Sequence, residues 1–148
     1  MDGGYYESQL GFEAGAEYVT VLGVADNLTI ENCVKAAKDF KKQIVVDMLC
    51  IDNLGTKVEE LEKMGVDVIA VHTGADQQAE GRTPLGDLKV MMGVAKDCKI
   101  AVAGGINSNT IDDYVSLKPD IIIVGSGICR AEDPLVEVKK IKAAMTKS

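Results

Sequence analysis

Five short apolar runs punctuate the chain, at residues 18–22, 44–49, 67–71, 100–103 and 120–124. Each is rich in Val and Ile, is edged by Gly, Pro or a charged residue, and shows little alternation of apolar with polar positions. A strand with one wet face alternates, whereas a strand buried on both faces reads as a continuous apolar run, as in parallel sheets. Between the runs, apolar positions recur every three or four residues. Ile30, Cys33, Val34 and Ala37 form one such stripe within 27–41, and Leu54, Val58 and Leu61 form another within 52–64. That spacing predicts helices. Further helices are predicted over 4–14 and 108–117, from Thr83-Pro84 onward, and from Asp133-Pro134 to about Met145. In the two Pro dipeptides, proline falls at the first helical position, where its missing N–H costs nothing.

A weak internal repeat supports this order. Gly15-Ala16-Glu17, Gly65-Val66-Asp67 and Lys118-Pro119-Asp120 each stand where a helix ends and a strand opens. Strand starts lie about 20 to 33 residues apart, the spacing of β/α units. The predicted order is α-β-α-β-α-β-α-β-α-β-α, five strands and six helices in a single domain over 1–148. Two α/β architectures fit: an open doubly wound sheet, or a (β/α)8 TIM-barrel type lacking its first three strands. A full barrel takes roughly 200 residues or more, and an order that begins on a helix favours the incomplete barrel.

Composition narrows the function. The 148 residues are 47% apolar and 4% aromatic, with 15 glycines, which predicts an aliphatic core and many tight turns. The net charge is −7, without a Lys/Arg cluster, so nucleic acid and anionic membrane surfaces are poor partners. No apolar run approaches the roughly 18 residues of a membrane helix. The opening Met1-Asp2-Gly3-Gly4-Tyr5 lacks the features of a secretory leader, and a cytoplasmic location is expected. Cys33, Cys50, Cys98 and Cys129 form no Cys-x-x-Cys pair and share the chain with one histidine, which disfavours a zinc site. Their apolar neighbours predict four buried thiols.

In parallel α/β folds, chemistry gathers where strands end. Ala103-Gly104-Gly105-Ile106 follows the fourth run and Val124-Gly125-Ser126-Gly127 the fifth. Glycine lets backbone N–H groups approach an anion closely, and barrels commonly hold phosphate on the loops after their last two strands. Two such loops in succession favour phosphate over mere tight turns. His72, the lone histidine, ends the third run; from position alone it is either a proton-transfer group or a hydrogen-bonded loop residue. Asp47 lies in an apolar strand, where a carboxylate must be paired or face a site. Asp76, Gln77 and Gln78 follow the histidine and could close the loop over a ligand, although a solvated position is favoured. Asp2, with Gly3 and Gly4, reads as a frayed terminus.

The segments Met1-Asp2-Gly3-Gly4-Tyr5, Gly15-Ala16, Val19-Thr20-Val21-Leu22-Gly23, Val45-Val46-Asp47-Met48, Val71-His72-Thr73-Gly74, Ala103-Gly104-Gly105-Ile106 and Val124-Gly125-Ser126 occur in an order and spacing that resemble the orotidine-5′-phosphate decarboxylase / HUMPS group of barrels, and within it the 3-hexulose-6-phosphate synthases. The related 3-keto-gulonate-6-phosphate decarboxylases carry Glu, Arg and Thr at the positions of Asp47, Ala75 and Ala103. They also have His-Arg-Ser for His72-Thr73-Gly74 and Arg for Ser126, so the departures favour the synthase.

The resemblance implies a (β/α)8 barrel and a reversible, Mg²⁺-dependent aldol condensation of ribulose 5-phosphate with formaldehyde. It assigns proton transfer to His72, a polar network beside the reacting carbons to Asp47, and the phosphate to Gly104, Gly105, Gly125 and Ser126. Asp2 matches the last Asp of the family's D-x-K-x-x-D motif, which reaches into a neighbouring protomer's site in a homodimer. The motif's first Asp, its Lys and the metal ligands are expected before Met1. Decarboxylation of a keto-gulonate phosphate, as in the related enzymes, and sugar-phosphate binding without catalysis are the alternatives.

Overall fold

A computed structural model describes residues 2–146. Five parallel strands, β1 (Tyr18–Leu22), β2 (Gln43–Asp47), β3 (Val68–His72), β4 (Lys99–Ala103) and β5 (Ile121–Ile123), lie in one sheet in the order β1-β2-β3-β4-β5. Each strand therefore neighbours the next in sequence. A doubly wound sheet reverses its order at a switch point, and this sheet does not.

Right-handed crossovers that always advance the same way place every helix on one face. The core reports that placement. Val21, Ile44, Val46, Ile69, Val71, Ile100 and Val102 share one face of the sheet and pack against Phe12, Ile30, Cys33, Val58, Leu61, Leu88, Met91, Ile111 and Ile141, all from helices. The opposite face holds a separate small cluster of Val45, Val68, Ala70 and Ala101, with Ile121 against it, and no helix contributes. This is the wall of a barrel, helices outside and strand side chains inside, and the incomplete (β/α)8 form is the one adopted.

Eight helices occur among the described residues, where six were expected. α1 (Gly4–Glu13), α2 (Asn27–Phe40), α3 (Leu54–Met64), α5 (Leu85–Val94), α6 (Ile111–Val115) and α8 (Pro134–Met145) are the six. The additions are α4 (Ala75–Ala79) and α7 (Ser126–Cys129), each too short to show an amphipathic period. End signals act as the sequence suggests. Asp26 accepts from the Leu28 N–H at 2.8 Å, and Asp133 accepts from Leu135 and Val136 with Pro134 behind it. Gly65 ends α3 with φ 82°, a left-handed turn that glycine adopts freely. At Thr83-Pro84 the threonine provides no side-chain cap, and α5 begins at Leu85 with Pro84 as its cap residue.

The acidic repeat has a structural role. Asp67 Oδ2 accepts from the Ile44 N–H of β2 at 3.0 Å, and Asp120 Oδ2 accepts from the Ile100 N–H of β4 at 2.8 Å. Each carboxylate stands just before one strand and grips the preceding strand near its start. Glu17, at the third copy, pairs instead with Lys42.

Burial on both faces holds for the central strands and fails at the edges. Thr20, Tyr18 and Leu22 on β1 and Ile123 on β5 are exposed, the last three by 45%, 47% and 45%. The four buried thiols are corrected likewise. Cys33 is buried and Cys98 half-buried, but Cys50 lies exposed in the loop after β2 and Cys129 lies exposed at the end of α7. Apolar sequence neighbours bury a side chain only inside an element that has a covered face.

Candidate functional site

Strand parity brings the site together. Asp47 pairs in register with Ala70, and His72 stands two residues beyond Ala70, so both side chains leave the same face of the sheet at its C-terminal edge. His72 Nδ1 lies 2.8 Å from Asp47 Oδ2, and Asp47 Oδ1 accepts from the Leu49 N–H at 2.9 Å. Both carboxylate oxygens are thus engaged, which is how a partly buried carboxylate is tolerated. A carboxylate can only accept, so a proton sits on Nδ1, and in the neutral ring Nε2 carries the free lone pair. The histidine side chain is 33% exposed and its aspartate 17%, so the ring reaches solvent space while its partner is sheltered.

Ala103 lies beside His72 in the register, and the chain then enters the first glycine loop. Gly104 has φ 119°, and a Cβ there would stand 2.6 Å from the Thr73 carbonyl oxygen. Glycine is required twice over, for its backbone conformation and for the space. Beyond it, Asn107 Oδ1 accepts from the Asn109 N–H at 2.9 Å. Glu137 on α8 holds the same loop, accepting from Ser108 N at 2.7 Å and Ser108 Oγ at 2.9 Å. These bonds hold the Glu137 carboxyl below the usual carboxylate range. The second loop packs directly on the first: a Cβ at Gly127 would lie 2.3 Å from the Ile106 carbonyl oxygen.

His72, Ala103, Gly104, Gly105, Gly125 and Ser126 together line one cavity of about 210 Å³. It is the size of a small polar ligand, with the His72 imidazole on one wall and two glycine loops on another.

A profile of the orotidine 5′-phosphate decarboxylase / HUMPS family matches residues 1–141. The chain belongs to this family. Within it, the 3-hexulose-6-phosphate synthase of Staphylococcus epidermidis is 46% identical over 145 residues, which make up 98% of this chain and 69% of that one. The crystal structure of 3-hexulose-6-phosphate synthase from Salmonella typhimurium is 56% identical with a TM-score of 0.97, covering 99% of this chain and 70% of that one. The 3-keto-L-gulonate-6-phosphate decarboxylase of Vibrio cholerae superposes with a TM-score of 0.83 at 22% identity, over 99% of this chain and 69% of that one. At that identity the likeness shows the shared fold alone. This member of the HUMPS family is therefore of the synthase type, a lyase line, on a barrel scaffold.

Of the residues singled out in the sequence, His72, Asp47, Gly104, Gly105, Gly125 and Ser126 come together. Asp2 does not join them. It is exposed before α1, its N–H lies 3.4 Å from Glu7 Oε1, and among the described residues its carboxylate has no hydrogen-bond or ion-pair partner. Helices of β/α units start on the strand-end side, so Asp2 stands on the same rim as His72 but outside the cavity.

The magnesium expected from the resemblance finds no ligand set among the described residues, which contain no group of three or more His, Cys, Asp or Glu able to hold a metal. Asp47, the one carboxylate in the site, spends both oxygens on His72 and Leu49. These residues do not by themselves fit the ion.

Sequence reasoning placed Gly127 in the second glycine loop without its packing role, favoured solvent for Gln78, and missed Glu137. Gln78 lines the cavity rather than facing solvent. Gly127 separates two loops whose proximity only the fold creates. Glu137 lies 29 residues beyond the serine it holds.

Proposed function

We propose that this chain carries the phosphate-binding and proton-transfer part of a 3-hexulose-6-phosphate synthase site, acting in the reversible condensation of ribulose 5-phosphate with formaldehyde to 3-hexulose 6-phosphate. The observation that carries it is the Asp47–His72 pair opening on the same cavity as the two glycine loops. Three positions that part the synthases from the related decarboxylases, Asp47, Ala103 and Ser126, lie at or beside that cavity, and each has the synthase residue.

The steps assigned to the chain are these. Backbone N–H groups of Gly104, Gly105, Gly125 and Ser126 hold the phosphate and fix the sugar chain in the cavity. Asp47 orients the ring and stabilises its protonated form. His72 Nε2 takes the proton from C1 of ribulose 5-phosphate, leaving an enediolate whose C1 attacks the formaldehyde carbon. One carbon–carbon bond forms, the formaldehyde oxygen becomes an alkoxide, and the proton on Nε2 returns to it. These residues leave stabilisation of the enediolate oxygens to other groups.

Residues 1–148 would act as one domain, working in the cytoplasm as a homodimer in which Asp2 reaches the neighbour's site. Among the described residues no helix is long and apolar enough to cross a membrane.

The test is formaldehyde consumption in the presence of ribulose 5-phosphate and Mg²⁺, with His72→Ala beside the natural chain. The expected result is consumption that depends on ribulose 5-phosphate and falls by about 100-fold or more in His72→Ala, while ribulose 5-phosphate still binds the variant. Release of CO₂ from a keto-gulonate phosphate without formaldehyde consumption would assign the decarboxylase instead. Binding without any turnover would leave a sugar-phosphate-binding role.

A further inference from the structure

Gln78 stands in the cavity without a role in the chemistry above. It lies on α4, the short helix after β3, and lines the same 210 Å³ cavity as His72 and both glycine loops. Its backbone N–H bonds the Gly74 carbonyl at 2.9 Å, and Gln77 caps the helix start by accepting from the Gly74 N–H at 3.0 Å. The helix is thereby fixed with Gln78 turned inward.

The orientation of its amide follows from its partner. Gln78 Nε2 donates to the Thr73 carbonyl oxygen at 2.7 Å, an atom that can only accept. The amino side of the amide must face Thr73, so the oxygen faces the other way. It lies against the Gly104-Gly105 turn, 3.1 Å from where a Cβ on Gly105 would be. An acceptor beside a phosphate loop repels the phosphate itself and suits a hydroxyl donor next to it. His72, Gln78 and both glycine loops line one cavity, so a sugar phosphate held with its phosphate on the loops and its reacting carbon at His72 lies within reach of that oxygen.

We infer that Gln78 is a specificity-determining residue of this site, whose side-chain oxygen accepts a hydrogen bond from a hydroxyl of the sugar phosphate between its phosphate and its reacting carbon. This rests on the sugar-phosphate reading of the cavity. It predicts discrimination for a polyhydroxylated phosphate ester over a phosphate that lacks hydroxyls.

The experiment is calorimetric titration of the full chain with two probes, ribulose 5-phosphate and inorganic phosphate. The proteins are the natural sequence, Gln78→Ala, and Gln78→Met, which keeps the length that covers Gly105. Both variants are expected to bind ribulose 5-phosphate about tenfold more weakly and inorganic phosphate within about twofold of the natural chain. Equal weakening for both probes would overturn the inference, since Gln78 would then only hold the loop. Full affinity in Gln78→Met would overturn it as well, reducing the role to packing, and so would unchanged affinity in both variants. If the natural chain binds ribulose 5-phosphate no more tightly than inorganic phosphate, the sugar-phosphate reading itself fails. The three preceding outcomes leave that reading standing without Gln78.

Discussion

The Asp47–His72 pair shows how much one hydrogen bond decides. With aspartate as acceptor, the ring holds its proton on Nδ1 and offers Nε2 as a base. An asparagine can turn its amino group toward Nδ1 and so select the opposite tautomer, which has no base facing the cavity. Asp47→Asn is therefore expected to lower kcat by about 100-fold or more with little change in ribulose 5-phosphate binding. Steady-state kinetics on the variant separates the two, and an unchanged kcat would remove Asp47 from the proton-transfer machinery. Both residues were legible in the sequence for physical reasons: one is the lone histidine, at a strand end, and the other is a carboxylate in a run too apolar to leave it unpaired. Their pairing with each other was not legible. It depends on the two-residue offset between Ala70, which stands level with Asp47, and His72, an offset that belongs to strand register. Gln78 was misread because nothing local marks which side of a five-residue helix meets a cavity.

At the scale of elements, the acidic residues at helix–strand junctions were visible as a repeat, yet their use became visible only in the sheet, where Asp67 and Asp120 each bind the N–H of a preceding strand. Glu62 on α3 does comparable work for the turn leading into β4. Its Oε1 accepts from the N–H groups of Lys96, Asp97 and Cys98 at 2.7, 2.8 and 3.2 Å. Burial alone would raise its carboxyl, but these bonds win and bring it down to about 2, while burial and the adjacent Glu62 push the Cys98 thiol up to about 12. A carboxyl depressed on folding adds stability above its unfolded value of 4.5, and that stability drains away as pH falls toward 2. The melting temperature is accordingly expected to fall more steeply between pH 4.5 and 2 in the natural chain than in Glu62→Gln. At neutral pH, Glu62→Ala is expected to cost about 1–2 kcal/mol, because three N–H groups lose one charged acceptor at a half-exposed site. Parallel melting curves for the natural chain and Glu62→Gln across that range would disprove the assignment.

For the molecule as a whole, the decisive feature is the sequential strand order, which puts all helices on one face and leaves the other as the inside of a barrel wall. The sequence carried this far: continuous apolar runs gave parallel strands, and the helix-first order favoured a barrel over a doubly wound sheet. The exposed ends of that inner face lay beyond it, since whether Tyr18, Leu22 or Ile123 is covered depends on neighbours across the sheet rather than along the chain. Among the described residues, β1 and β5 each keep one edge unpaired, and the inner face presents Tyr18, Leu22 and Ile123 to solvent. Unpaired edges template further strands, and apolar surface next to them lowers the free energy of any association that covers both. The 148-residue chain, prepared by itself, is therefore expected to run on a sizing column with light scattering at a mass above its 15.7 kDa. Leu22→Lys places a charge on the exposed face of edge strand β1 and is expected to move the population toward monomer without changing the melting of the helix-facing core, which Leu22 does not enter. A monodisperse monomer for the natural chain would mean that this inner face is stable in water as it stands. The association argument would then fail at its first premise, because the exposed aliphatic side chains would not be driving the chain to cover them.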